Sequence, residues 1–231
     1  MSDTTLTLAV PGGFDRLTGG TIYDRRLADG LESLGWTVQR LALPDGFPEP
    51  DAAALAATRH VLLALPEGSR LMVDGLALGV LPGLAAGLAA RLELIALVHH
   101  PLALETGLDR ATAERLRASE RQALAHAARV ICTSKTTRLA LVEDYGVPDA
   151  RVAVAPPGTD PRPIARGSGG PGLQLLNVGS VIPRKDQRTL VAALAGLRGR
   201  PVRATIAGSL ERAAATARAL RELIDATGQA E

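Results

Sequence analysis

The 231-residue sequence predicts an α/β fold built on a parallel sheet, and three observations carry that prediction. Short apolar runs alternate with segments of helical period from end to end, the order expected of strands joined by crossover helices. Most of the runs are apolar throughout, as strands covered on both faces must be. Hydrophobic residues make up 46% of the chain and aromatic ones only 2%, so Leu, Val, Ile and Ala have to fill the interior.

The first expected strand is Thr5 to Val10, running into Pro-Gly-Gly. A helix from near Thr21 follows, because Tyr23, Leu27, Leu31 and Leu34 recur at helical spacing and Gly35 marks an end. Trp36 leads into a strand at Thr37 to Leu43. The runs His60 to Leu65, Arg70 to Val73, Leu92 to Val98, Arg129 to Thr133 and Arg151 to Ala155 read as further strands. Leu76 to Ala90 is the longest apolar stretch, but Gly79, Pro82, Gly83 and Gly87 break it and it falls short of a membrane span. Leu139 and Val142 mark another helix face.

Residues 156–172, PPGTDPRPIARGSGGPG, hold five prolines and five glycines in seventeen positions and read as an interdomain linker. A nearly complete domain, 1–155, precedes it. After it, 173–231 hold a strand at Leu173 to Val178, a helix on Leu190, Leu194 and Leu197, a strand at Arg203 to Ala207, and a helix on Ala213, Ala217, Leu220 and Ile224. Two strands with two helices leave an open sheet edge and an incompletely covered core.

Charge excludes several partners. The 26 basic and 24 acidic side chains are interspersed, and no basic patch is interleaved with aromatics, so neither nucleic acid nor a membrane is called for. The single Cys132 rules out a disulfide framework and reads as a reduced, buried thiol. The N-terminal run is too brief and too uncharged upstream for a signal peptide, which points to a cytoplasmic protein. The glycine pairs of the first loop do not have GxGxxG spacing, and GxxxxGK, GxSxG, HExxH, paired cysteines and Asp-x-Asp are all absent. The last absence argues against a donor held through a metal-binding carboxylate pair.

Three constellations carry chemistry. Gly19 and Gly20 sit where the first loop enters a helix, and free N–H groups with little steric bulk there admit a phosphate or a sugar; a flexible turn is the plain alternative. His99 and His100, in LVHHPLALETG, stand at the carboxyl end of a strand, where open parallel sheets build ligand sites. They can hydrogen-bond a hydroxyl or exchange protons near neutral pH, or simply hold a loop together, and no third ligand with metal spacing is evident. In LLNVGSVIPRKDQRTL, Arg184 and Lys185 immediately precede a helix that Asp186 is expected to cap. Cations are badly placed at a helix N-terminus, so an anion such as a diphosphate would relieve the arrangement, unless the pair is merely solvated. Gly179, with Ser180 after it, permits a close backbone approach at the strand exit.

Together these segments resemble the GT-B-fold retaining glycosyltransferases of family 4. TGGTIYDRRLADGLESLGWTV is similar to that family's glycine-rich loop and helix, and LVHHPLALETG to its histidine loop. ERQALAHAARVICTSKTTRLALVEDYGVPDARVAVAPPGTD resembles the stretch that closes the N-terminal domain, and VGSVIPRKDQRTLVAAL the opening of the donor-binding domain. The resemblance implies two facing Rossmann-like domains, the second present only as its first strand-helix-strand-helix, and transfer of a sugar with retention from a nucleotide-sugar donor without a metal cofactor.

By resemblance, Gly19 and Gly20 lie beneath the donor diphosphate and sugar, and His99 bonds the donor sugar with His100 beside it. Arg184 and Lys185 neutralise the departing diphosphate, and Gly179 and Ser180 belong to the donor site. Ser180 stands where some members carry an arginine, which removes one phosphate contact. The acceptor, a sugar, lipid or small molecule, is not identified, and peripheral membrane contact stays open because some relatives use lipid acceptors. The chain stops before the family's Glu-x7-Glu segment, so weak or absent donor binding and no useful transfer are expected of it. The alternative is a non-catalytic binding or assembly module that completes its open edge as a homodimer.

Overall fold

The computed structural model describes residues 4–170, 172–197 and 199–228. Pro171 of the expected linker and the chain end at Glu231 lie outside them. Contacts divide the chain into two compact units, Met1–Thr159 and Asp160–Glu231.

In the first unit, strands β1 (Thr5–Pro11), β2 (Thr37–Leu43), β3 (Arg70–Asp74), β4 (Glu93–Val98), β5 (Arg129–Cys132) and β6 (Val152–Val154) form one sheet in the order β2-β1-β3-β4-β5-β6. Every neighbouring pair is parallel. Ala9, Val73, Ala96 and Val130 lie side by side across four strands, all fully buried.

Alternation along the strands divides the core in two. Ala9, Leu71, Val73, Leu94, Ala96, Val98, Val130 and Cys132 pack on one face. Leu6, Leu8, Val10, Met72, Ile95 and Leu97 pack on the other, with Ala28, Leu27 and Leu31 of helix α1 (Gly19–Ser33). The first face is covered from helices α2 (Ala52–Leu63), α3 (Gly75–Leu78), α4 (Pro82–Ala89), α5 (Arg110–Ala125) and α6 (Lys135–Glu143), through Leu62, Ala77, Leu84, Leu88, Ala123, Leu124 and Leu141. Right-handed crossovers require this division: the chain steps from β1 out to β2, then returns across β1 to β3, so α1 alone takes the opposite side. The reversal opens a switch point at the carboxyl ends of β1 and β3, where parallel sheets bind ligands.

The second unit holds a parallel pair, β7 (Leu173–Val178) and β8 (Val202–Ala207), with helices α7 (Gln187–Ala195) and α8 (Ala214–Ala226). Val181, Val191, Ala217 and Leu220 form its small core, with Ile206 packed against it.

Four expectations are corrected. His60 to Leu65 is no strand: it is the end of α2 and its exit, because Asp51 caps the helix by accepting from the Ala54 N–H at 2.7 Å and Thr58 and Leu62 fall on one buried helical face. Leu34 is 78% exposed at the end of α1, whose buried line is Thr21, Asp24 and Ala28. That helix begins at Gly19 rather than near Thr21, since the Thr18 hydroxyl accepts from the Thr21 N–H at 3.1 Å. In α6 the buried residues are Thr137 and Leu141, while Leu139 turns outward.

Candidate functional site

Asp24, Asp74 and His99 meet at the switch point. α1 begins at the switch point, and its first buried turn carries Asp24, which is completely inaccessible. β3 ends on Asp74, whose Oδ1 caps α3 by accepting from the Leu76 N–H at 2.7 Å. β4 ends one residue before His99. Asp24 Oδ1 lies 2.8 Å from His99 Nε2, and Asp74 Oδ2 lies 3.8 Å from the same nitrogen.

The ring is also fixed from the side. Tyr23 meets it edge to face at 5.2 Å between centroids, and the Tyr23 hydroxyl donates to the Ala155 carbonyl at 2.8 Å. Thr133 donates from its hydroxyl to the His99 carbonyl at 3.0 Å. Burial pushes the Asp74 carboxyl up to about 6, with the neighbouring Asp24 charge adding to it and His99 opposing it. For His99, burial acts to lower the pKa, but the hydrogen bond and charge of Asp24, then the charge of Asp74, outweigh it and leave the imidazole above its ordinary value.

The glycines nearby differ in purpose. Gly12 has φ +70 and a side chain there would run into Asp45 and Arg16, so the loop itself demands glycine. A β-carbon on Gly19 would meet nothing within 4 Å, and one on Gly20 would rest 3.5 Å from the His99 ring. The protein needs neither glycine for its own packing, and together they leave the backbone bare beside His99. His100 is exposed and takes no part in the cluster.

A buried glutamate braces the histidine loop from behind. Glu120 of α5 is 1% exposed, and its Oε2 accepts from the Leu102 N–H at 2.9 Å. Burial raises its carboxyl to about 7, against the lowering effect of the Leu102 hydrogen bond.

Within the second unit, Gly179, Ser180, Arg184 and Lys185 gather at the exit of β7. The Gly179 N–H donates to the Ala207 carbonyl at 2.9 Å, and Gln187 donates to the Ser180 carbonyl at 3.2 Å. Arg184 and Lys185 occupy a short 3-10 turn, Pro183–Lys185, directly before α7. Asp186 holds the N-cap position of α7 as expected, but at φ 44 its carboxylate caps no backbone N–H and instead accepts from the Thr189 hydroxyl at 2.7 Å. The helix start therefore carries two cations and no side-chain N-cap bond, an arrangement suited to an anion. A β-carbon on Gly179 would only touch the Lys185 stem, 3.8 Å away, whereas one on Gly208 would strike the Gly179 carbonyl. The close backbone approach at this exit thus belongs to Gly208.

Sequence reasoning missed Asp24, Asp74 and Glu120. A signal existed for Asp24, which is three residues after Thr21 and four before Ala28 on the buried line of α1. Asp74 ends an otherwise buried strand. Asp24, Asp74 and His99 could also each offer one ligand atom to a metal, all within 4.8 Å of one another.

A doubly wound six-stranded unit followed by a second parallel unit is the architecture of GT-B glycosyltransferases. The glycosyltransferase from Rickettsia africae ESF-5 matches with a TM-score of 0.65 at 14% identity, over 99% of this chain and 66% of that one. Anabaena HepE, solved in complex with UDP, matches with a TM-score of 0.64 at 16% identity, over 97% of this chain and 66% of that one. The apo lipopolysaccharide outer core galactosyltransferase WaaB matches with a TM-score of 0.60 at 8% identity, over 97% of this chain and 65% of that one. The chain therefore spans about two-thirds of those proteins' length. The family profile of Glycosyltransferase Family 4 matches residues 17–162, and the chain belongs to that family. No curated protein matches the sequence. Among the described residues no helix is long and apolar enough to cross a membrane.

Proposed function

We propose that the protein is a retaining, metal-independent glycosyltransferase that takes a sugar from a nucleotide-sugar donor and passes it to a sugar, lipid or small-molecule acceptor. The observation that carries the reading is the exit of β7, where Arg184 and Lys185 precede α7 and no side chain caps its N–H groups. Negative charge grows on a departing diphosphate as the sugar becomes oxocarbenium-like, and fixed cations with a helix start stabilise that charge without a metal. HepE has been solved with UDP and glucose, which supports a nucleotide-sugar donor here.

In this reading Gly179 and Ser180 border the diphosphate, Gly19 and Gly20 leave room for the donor beside His99, and His99 hydrogen-bonds the donor sugar. A cytoplasmic setting fits the reduced, buried Cys132. The test is incubation with UDP-, GDP-, ADP- and dTDP-sugars, each with a panel of acceptors, followed by NMR. Weak release of nucleoside diphosphate with the anomeric configuration kept, far below useful turnover and lost in an Arg184→Ala/Lys185→Ala variant, is expected. Release no faster than in that variant, or an inverted product, would overturn the reading.

The open face of β7–β8, with Leu176 69% and Val178 74% exposed, favours a second reading as an assembly module that pairs two copies. Light scattering decides it, through a mass that rises to twice the chain's with concentration.

A further inference from the structure

The histidine at the switch point faces two buried carboxylates, one of them within hydrogen-bond distance. Asp24 is 0% exposed and Asp74 4%, so both carboxylates sit where an uncompensated charge is costly. Among the described residues the charged groups facing the His99 ring are Asp24 from α1 and Asp74 from the end of β3; Tyr23 offers its ring edge, and Thr133 binds only the main-chain carbonyl. No lysine or arginine is among the groups that shift His99, so the ring is the counter-charge available to the pair. Asp24 Oδ2 is buried with no N–H or hydroxyl donor among the described residues, and Asp74 is the side chain beside that carboxylate.

The distances separate a proton from a metal. Zinc bonds of about 2.0–2.1 Å at the tetrahedral angle would hold two ligand atoms about 3.3 Å apart. The observed separations from Nε2 are 2.8 Å to Asp24 and 3.8 Å to Asp74. The shorter one is the length of a charge-assisted N–H···O bond, and the longer one suits a second counter-charge without a bond.

With Nε2 turned inward, the other nitrogen decides what the site offers a ligand. The ring is 20% exposed, and Nδ1 has no hydrogen-bond partner among the described residues. In a neutral ring Nδ1 would be an acceptor; in an imidazolium it is a donor. We propose that Asp24, with Asp74 behind it, holds His99 as an imidazolium at neutral pH, so that Nδ1–H is a standing donor to a ligand hydroxyl oxygen and the ring serves neither as a base nor as a metal ligand. Asp24 and Asp74 are then positioning residues. Only the assignment of that hydroxyl to a donor sugar rests on the glycosyltransferase reading; the charge state rests on this unit alone.

The test uses the whole chain labelled with 15N-histidine. Its four histidines, His60, His99, His100 and His126, are few enough to resolve, and His99→Gln assigns the signal of interest. At pH 7 both ring nitrogens of His99 are expected to be protonated, with a titration midpoint above the ordinary value of about 6.5. Asp24→Asn lowers that proton affinity more than tenfold, Asp74→Asn lowers it less, and Asp24→Glu restores part of it, with the other three histidines unmoved. Zn2+ at micromolar concentration leaves the His99 protons in place.

A ring that is neutral at pH 7 in the unaltered chain overturns the proposal, and needs no variant to be seen. A midpoint unchanged in folded Asp24→Asn, or Zn2+ displacing the Nε2 proton, also overturns it. A protonated ring that no nucleotide sugar perturbs leaves the proposal standing and counts against the donor reading instead.

Discussion

The two sheets are made from similar strand sequences and end in opposite conditions. β4 reads ELIALV and is buried from its second residue to its last; β7 reads LQLLNV and leaves Leu173, Leu176 and Val178 more than half exposed. Neighbouring strands and covering helices make the difference. β4 has a partner on each side and a core on each face, while β7 pairs with β8 alone and places none of its residues in the small core formed by Val191 of α7 with Ala217 and Leu220 of α8. Apolar content in a strand is therefore a demand for cover, which the first unit meets within itself.

The contrast is broken most sharply by cutting side chains from each sheet. Leu97→Ala, at a fully buried position of β4, should cost about 2–5 kcal/mol in urea unfolding followed by far-UV circular dichroism. Leu176→Ala in β7, already 69% exposed, should change it by less than about 0.5 kcal/mol.

Glu120 gives the first unit a pH dependence. Its carboxyl is raised from 4.5 to about 7 by burial, so the folded form holds the proton more tightly than the unfolded one. Its stabilising contribution is full below pH 4.5 and is lost as pH rises through about 7, roughly 3 kcal/mol in all. Glu120→Gln keeps an acceptor for the Leu102 N–H and cannot ionise. Its stability relative to the unaltered chain should rise by about that amount between pH 4.5 and 7, as read from urea midpoints across the range.

Glycines sharpen the comparison further. Gly208→Ala in the second unit drives a β-carbon against the Gly179 carbonyl and should cost about 1–3 kcal/mol by displacing the backbone. Gly20→Ala in the first should leave stability unchanged or raise it by up to about 1 kcal/mol, because the site is helical and the new methyl rests 3.5 Å from His99. If the bare backbone at Gly20 serves a ligand, the same change weakens nucleotide-sugar binding while the melting temperature holds.

Most of the strands were legible because long apolar runs between turn residues have few other readings. His60 to Leu65 was not, since six apolar-rich residues suit a buried strand or a helix end, and the deciding cap, Asp51, lies nine residues upstream of His60. His99, Gly19, Gly20, Arg184 and Lys185 could be singled out by where they sit relative to strands and helices. Asp24, Asp74 and Glu120 could not: an acidic residue in a helix is usually solvated, and only the approach of β3, β4 and α1 in space brings two carboxylates to one imidazole. Leu139 and Leu34 show the same limit in reverse, as leucines at helical spacing that face water.

The exit of β7 carries the functional account, and calorimetry of the whole chain with UDP, GDP, ADP and dTDP, each beside its monophosphate and its nucleoside, tests it most directly. The account predicts saturable binding of at least one diphosphate, at least tenfold weaker binding of its monophosphate and none of its nucleoside, with the diphosphate signal lost in Arg184→Ala/Lys185→Ala. Equal binding of a diphosphate and its nucleoside, or diphosphate binding unchanged in that variant, would contradict it.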